Sequence, residues 1–272
     1  MEREDGIFVD INSLSHTAGF MRQSLQTLLA SVDAVTERLD PEDGENVRHL
    51  SSAMRSIFQL IRISDNLEIF SLLKKEAYPL CKVPAGVFAE VREVADRAAE
   101  LLAYQNIDLE IRLPENDFTG CIDRALLRLM LWNLLSNASA HAADHRICLS
   151  AERSGRDEIL LYLTNREEGA RLLETERLFD RYSSDPEDLR ARDGLGVGLR
   201  LVLEAARLHG GSLMLSASPE GLITAMLRLN TEKASGTDVH SPILLPEQSL
   251  NDGLIGLSGI LPAEVYDPRD IL

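Results

Sequence analysis

From Ile11 the apolar positions recur at spacings of three and four: Ile11, Leu14, Ala18, Met21, Leu25, Leu28, Val32, Val35 and Leu39. Every a and d position of this heptad register is small or apolar, which predicts a coiled-coil-like helix of about 29 residues, roughly 43 Å long at about 1.5 Å per residue. Asp40-Pro41-Glu42-Asp43-Gly44 then breaks the pattern, as Pro and Gly do in a helix interior. A second seam follows at Leu50, Ala53, Ile57, Leu60 and Leu67, with Ser64 as its one polar member and Met54, Phe58 and Ile61 widening it. Two long helices on a short connection predict an antiparallel hairpin. One hairpin carries more apolar face than it buries alone, so pairing with a second copy into a dimeric four-helix bundle is expected.

Beyond Lys74, Lys75 and Pro79 the pattern becomes a mixture. Residues 86–103 read as a helix, and Ile107, Leu109, Ile111 and Leu113 alternate as a half-buried strand does. Asp123 to about His141 is helical with apolar residues on most sides, which predicts deep packing. Cys148–Ala151 and Ile159–Leu163 read as strands, and Leu199, Val202, Leu203 and Ala206 as a helix stopped by Gly210-Gly211. Leu213, Leu215 and Ala217, with Ile223–Leu229 after the turn at Pro219-Glu220-Gly221, predict a terminal hairpin. The fold class expected is α+β: an N-terminal antiparallel helical hairpin over 1–78, an α/β sandwich of about five strands over 79–231, and an extension over 232–272. The extension mixes Pro, Gly and Ser with short apolar clusters at Ile243–Leu245 and Leu254–Leu257, and is expected to be extended or partly ordered, docking on its own body or on a partner.

Charge narrows the partners. With 28 Lys+Arg against 44 Asp+Glu, the net charge of −16 argues against nucleic acid or an anionic membrane as the main partner. No apolar run reaches the roughly 18 to 20 residues a membrane helix needs, and Met1-Glu-Arg-Glu-Asp5 lacks the layout of a secretory leader. Cys81, Cys121 and Cys148 are odd in number and too far apart for a zinc spacing, which suits reduced thiols. A cytoplasmic protein is expected.

Two features carry chemistry. Asp193-Gly194-Leu195-Gly196-Val197-Gly198-Leu199 places glycines at alternate positions, which makes a poor strand but suits a backbone that approaches a ligand closely. A glycine-rich turn feeding a helix N-terminus offers free N–H groups and a favourable dipole to a phosphate. His16 falls at position f of the first heptad register, pointing away from the seam. An exposed imidazole there titrates near neutral pH and is a nucleophile toward whatever reaches it.

Four stretches in a fixed order resemble the sensor histidine kinases, whose GHKL-type ATP-binding half belongs to the wider family shared with gyrase and Hsp90. Phe8–His16 is similar to the region of the phosphoacceptor histidine, Asp123–Ala138 to the Asn-bearing helix, and Leu178–Tyr182 to the aromatic segment before the lid. Gly194–Leu199 with His209-Gly210-Gly211 resembles the second glycine box and its helix, so the resemblance covers about residues 8 to 230. It implies ATP and Mg²⁺ as cofactors, with Asn137 ligating the metal through its carbonyl oxygen. It further implies a nucleotide site from Asn133, Asn137, His141, Asn165, Gly169, Gly194, Gly196, Gly198 and Leu199. The γ-phosphoryl group would pass to His16 and then to an aspartate of a response-regulator receiver. A homodimer is implied, with input from a separate sensor protein or from the tail. The sequence departs from the family at several positions. Thr17 stands where an acidic base follows the histidine, and Phe20 where Thr or Asn is frequent. Asn165 replaces the adenine-contacting Asp of the first glycine box, and Glu167 one of its glycines. Ala140 replaces a Lys or Arg, leaving His141 as the nearest candidate cation. An ATP-independent histidine phosphotransferase or signalling adaptor on the same scaffold is the alternative.

Overall fold

The computed structural model describes residues 11–38, 40, 43–167, 197–232 and 251–271, with the side chains of 11–16 outside the description. Helix α1 spans Ile11–Thr36 and α2 spans Gly44–Lys74, with Asp43 capping α2 by accepting a hydrogen bond from the Asn46 N–H. Ser64 donates to the Ala18 carbonyl at 2.8 Å, and Arg22 bridges Asp65 and Glu68, which fixes the register between the helices. Helix α1 stops before Leu39, its last turn running through Arg38. Ala18 and Leu25 are buried in the seam, whereas Leu28 and Val35 remain 48% and 51% exposed. On α2 the burial differs from the expected seam. Met54, Ile57 and Phe58 are buried, while Ala53 and Leu60 are exposed, because the Met54 and Phe58 face packs on the rest of the protein rather than on α1.

The α/β part begins with β1 (Val83–Gly86), α3 (Val87–Leu102), β2 (Asp108–Arg112) and β3 (Thr119–Ile122). It continues through α4 (Arg124–His141), β4 (Arg146–Ser154), β5 (Glu158–Arg166), α5 (Val197–Leu208), β6 (Ser212–Ala217) and β7 (Leu222–Asn230). The main sheet has the order β2-β4-β5-β7-β6, antiparallel except for the parallel β2–β4 pair. Its five strands are those expected from alternation. Ile147 and Leu149 on β4, Ile159, Leu161 and Leu163 on β5, and Ile223, Leu227 and Leu229 on β7 point to one face, which α3, α4 and α5 cover. The antiparallel β1–β3 pair escapes the pattern, because Val83-Pro84-Ala85-Gly86 and Thr119-Gly120-Cys121-Ile122 are too short and too poor in alternation.

Residues 251–271 form α6 (Asp252–Gly256), a 3₁₀ turn (Ala263–Tyr266) and α7 (Pro268–Ile271). They lie against α2, α3 and α4, and Leu254, Leu257, Leu261 and Tyr266 join the same apolar core as the three helices of the sandwich face. The cluster at Ile243–Leu245 lies outside the described residues. Among the described residues no helix is long and apolar enough to cross a membrane.

Candidate nucleotide site on helix α4

Helix α4 starts at Asp123, which ties several neighbours together. Its Oδ1 accepts the Leu126 N–H at 3.0 Å, its Oδ2 accepts the Cys81 N–H at 2.9 Å, and its backbone N–H donates to His209 Nε2 at 3.1 Å. His209 is fully buried, and its Nδ1 lies 3.0 Å from the Asn230 carbonyl, so the neutral tautomer carries its proton on Nδ1. Burial first, and then the Lys82 ammonium, push His209 down from 6.5 to about 4. This imidazole therefore ties the start of α4 to the ends of α5 and β7. The following Gly211 passes so close to the Arg228 carbonyl that a Cβ would stand 1.8 Å from its oxygen. His209-Gly210-Gly211 thus has a structural use that its spacing did not disclose.

Asn133, Asn137 and His141 succeed one another at four-residue intervals and share one side of α4. Asn133 is buried and turned to the hairpin. It exchanges two hydrogen bonds with Asn66 of α2, at 3.0 and 3.2 Å, and donates also to the Leu129 carbonyl at 2.9 Å. Its amide therefore makes the helix-to-helix bond in this conformation, rather than standing open for a nucleotide. Asn137, one turn later, is half-buried, and its side chain makes no hydrogen bond among the described residues. His141 closes the helix with Nδ1 3.7 Å from Glu167 Oε1. The Asn165 amide, near the end of β5, donates to the His141 carbonyl at 3.3 Å, leaving its Oδ1 as an acceptor. Glu167 is 8% exposed, and its backbone N–H is fixed by the Gly221 carbonyl at 2.9 Å. The first turn of α5 completes the arrangement: a Cβ on Gly198 would stand 2.8 Å from Asn133 Oδ1, and Leu199 is buried beside it.

The structure thus brings Asn133, Asn137, His141, Asn165, Gly198 and Leu199 onto or beside α4. Gly169, Gly194, Gly196 and the segment Leu178–Tyr182 lie outside the described residues. His16 belongs to α1, two residues before the carbonyl that accepts Ser64, and its side chain is not described. Among the described residues no cluster of His, Cys, Asp or Glu has the make-up of a metal site. Sequence reasoning missed Asn66, one of many polar residues on a long helix with no motif to mark it.

Residues 122–248 match the family described as histidine kinase-, DNA gyrase B- and HSP90-like ATPases. The sensor-type histidine kinase PrrB of Mycobacterium leprae is 31% identical over 213 residues, covering 77% of this chain and 44% of that protein. The sensor histidine kinase MtrB of Mycolicibacterium paratuberculosis is 27% identical over 203 residues, covering 71% of this chain and 34% of the relative. The sensor histidine kinase WalK of Bacillus subtilis is 24% identical over 196 residues, with 71% and 32% covered. The chain spans under half the length of each of these relatives. Full-length ShkA in complex with AMPPNP shares the fold at a TM-score of 0.65 and 17% identity, with 84% of this chain and 47% of that one covered. The Acinetobacter baumannii histidine kinase AdeS shares it at 0.52 and 16%, covering 78% and 97%. Over residues 122–248 the chain is thus similar to the histidine kinase-, DNA gyrase B- and HSP90-like ATPases, and its homologues are sensor histidine kinases.

Proposed function

We propose that this chain is an ATP-dependent protein-histidine kinase of a two-component phosphorelay, which phosphorylates its own His16 and passes the group to an aspartate of a response regulator. The observation that carries the reading is the convergence on α4: Asn133, Asn137 and His141 share one side, and Gly198 opens α5 directly against Asn133. Asn137 supports a magnesium role, since its amide has no other partner among the described residues and Mg²⁺ accepts a single neutral oxygen when substrate phosphates supply others. Bound there, the ion would neutralise charge on the phosphates. Asn165 Oδ1 would accept from the adenine amino group, its Nδ2 already held by the His141 carbonyl. The start of α5 and the glycines Gly194, Gly196 and Gly198 would offer N–H donors to the triphosphate. A neutral His16 nitrogen attacks the γ-phosphorus in line, a P–N bond forms as the bond to the β,γ-bridging oxygen breaks, ADP leaves, and the surplus imidazolium proton passes to water. A second copy would cover the exposed Leu28, Val35 and Leu60 of the hairpin, giving a homodimer. The same reading sets the protein in the cytoplasm, with its input from a separate sensor protein.

Incubation with γ-labelled ATP and Mg²⁺ tests this: an acid-labile label should appear and be abolished by His16→Gln. Label that persists in that variant rejects the assignment of His16. One observation favours a second reading. Glu167 puts a buried carboxylate against His141 and beside Asn165, adding negative charge where the base would lie. A histidine phosphotransferase or signalling adaptor without ATP chemistry would tolerate that. Titration calorimetry with a non-hydrolysable ATP analogue separates the two, micromolar binding supporting the kinase and silence at millimolar concentration the adaptor.

A further inference from the structure

Residues 251–271 join two parts of the molecule that the chain otherwise connects only through the short stretch after Lys74. Toward the hairpin, the Tyr266 ring meets Phe58 of α2 edge-on at 5.5 Å. Arg55 of α2 reaches the Ser258 carbonyl through Nε at 3.3 Å and the Gly259 carbonyl through Nη2 at 3.2 Å. Toward the sandwich, two glycines of α6 make close contacts, beside the buried Leu254. A Cβ on Gly253 would stand 2.6 Å from Leu101 Cδ1 of α3, and one on Gly256 would stand 2.8 Å from Trp132 Cγ of α4. The segment is closed on itself by the Tyr266 hydroxyl, which donates to the Leu254 carbonyl at 2.7 Å. Tyr266, Leu257 and Leu261 are fully buried. The segment is therefore a built seat between two faces, not a surface appendage.

The place where it acts matters. Trp132 precedes Asn133, the residue bonded to Asn66 of α2, and Asn137 follows one turn, about 6 Å, further along the axis. Two residues before Asn66, Ser64 is tied to the Ala18 carbonyl, two residues beyond His16. The Asn-bearing helix is thus docked on the hairpin at the height of the histidine, with Asn66–Asn133 on the inner side and residues 251–271 behind. Lys74 adds an outer tie to Glu204 of α5 at 2.7 Å. Trp132 Nε1 is buried beneath the segment with no hydrogen-bond partner among the described residues, a group that water would satisfy if the segment left.

We propose that residues 251–271 are a clamp that positions the ATP-binding part on the hairpin for phosphoryl transfer to His16, with Tyr266, Gly253 and Gly256 as positioning residues. The inference rests on the kinase reading above. Holding donor and acceptor together replaces a search by a loosely tethered domain, and misplacement by about 1 Å costs on the order of a hundredfold in such reactions. The clamp touches neither nucleotide nor imidazole, so its loss acts on the transfer rate and leaves nucleotide affinity alone.

The test uses the full chain. In Gly256→Val the new side chain collides with Trp132 and expels the segment, while every residue of α2 and α4 is kept. Trp132 is the single tryptophan of the chain, so its emission reports release directly. Expected are a red-shifted, more quenchable emission, an unchanged Kd for a non-hydrolysable ATP analogue, and at least a tenfold slower single-turnover labelling of His16. Arg55→Met, which removes only two hydrogen bonds to the segment, should slow labelling about threefold in a protein of unchanged secondary structure. The proposal is overturned by labelling that is unchanged or faster once Trp132 is released, by a Kd that weakens in step with the rate, or by emission unaltered in Gly256→Val. A wild-type chain that takes no label at all sinks the kinase reading instead.

Discussion

Acidification should loosen this fold through one residue, His209. The native arrangement requires its Nε2 to accept the Asp123 N–H and its Nδ1 to donate to the Asn230 carbonyl, roles that only the neutral ring fills together. Protonation sets an N–H against an N–H in a site without solvent, near the Lys82 ammonium, and the folded value accordingly falls from 6.5 to about 4. Because it lies below the unfolded value, the stability it contributes is complete above pH 6.5 and is lost as pH falls toward 4. Linkage between those two values gives a loss of about 2 kcal/mol from pH 7 to pH 5. Asp123 works in the opposite sense: burial raises its carboxyl despite the Cys81 and Leu126 N–H bonds, so its native penalty is relieved as pH falls. The two are separated by comparing urea unfolding, followed by circular dichroism, in wild type and His209→Gln at pH 7 and pH 5. The variant should be weaker at pH 7 but flatter with pH by about 2 kcal/mol. Equal losses in both proteins would refute the assignment of a buried, neutral imidazole.

Other consequences follow from the same contacts. Truncating Asn66 or Asn133 to Ala leaves a buried amide partly unpaired, so each should cost about 1–3 kcal/mol in urea unfolding. The double variant should cost less than their sum by about 1 kcal/mol, whereas strict additivity would show that the pair does not couple the helices. Asn137→Ala should weaken Mg²⁺-dependent binding of an ATP analogue on the order of tenfold, as loss of one ligand oxygen, without changing binding in EDTA. Sedimentation at micromolar concentration should find wild type at twice the chain mass and Leu28→Glu at the chain mass, since a charge at that exposed seam position opposes pairing with a second copy.

Periodicity made much of the fold legible. The two long helices and the five strands of the main sheet are marked by repeats that burial enforces, and α4 by apolar residues on most of its sides. Short pairs such as β1–β3 carry no such mark, since four residues with Pro or Gly show no period. The burial on α2 was also misjudged: heptad reasoning assumes one partner for each helix, and α2 has two, so Met54 and Phe58 displaced Ala53 and Leu60 from the core. At the site, glycine spacing stands out because it serves local backbone needs, and the Asn-bearing helix through its resemblance to a known family. The partner of Asn133 does not, because Asn66 lies 67 positions away and a long-range amide pair leaves no local trace. The apolar cluster at Leu254–Leu257 suggested that residues 251–271 dock, but not where, because Gly253 and Gly256 matter for what they meet across the interface.

The order of synthesis gives that last segment another significance. Phe58 and Trp132 emerge from the ribosome long before Tyr266, Leu257 and Leu261, which belong to the same apolar cluster. Until residue 266 is made, a nascent chain holds these aromatic surfaces uncovered, and chaperone engagement or self-association has its opportunity in that interval. A premature stop shortly before residue 251 would leave every strand of the main sheet in place and still make a sticky product.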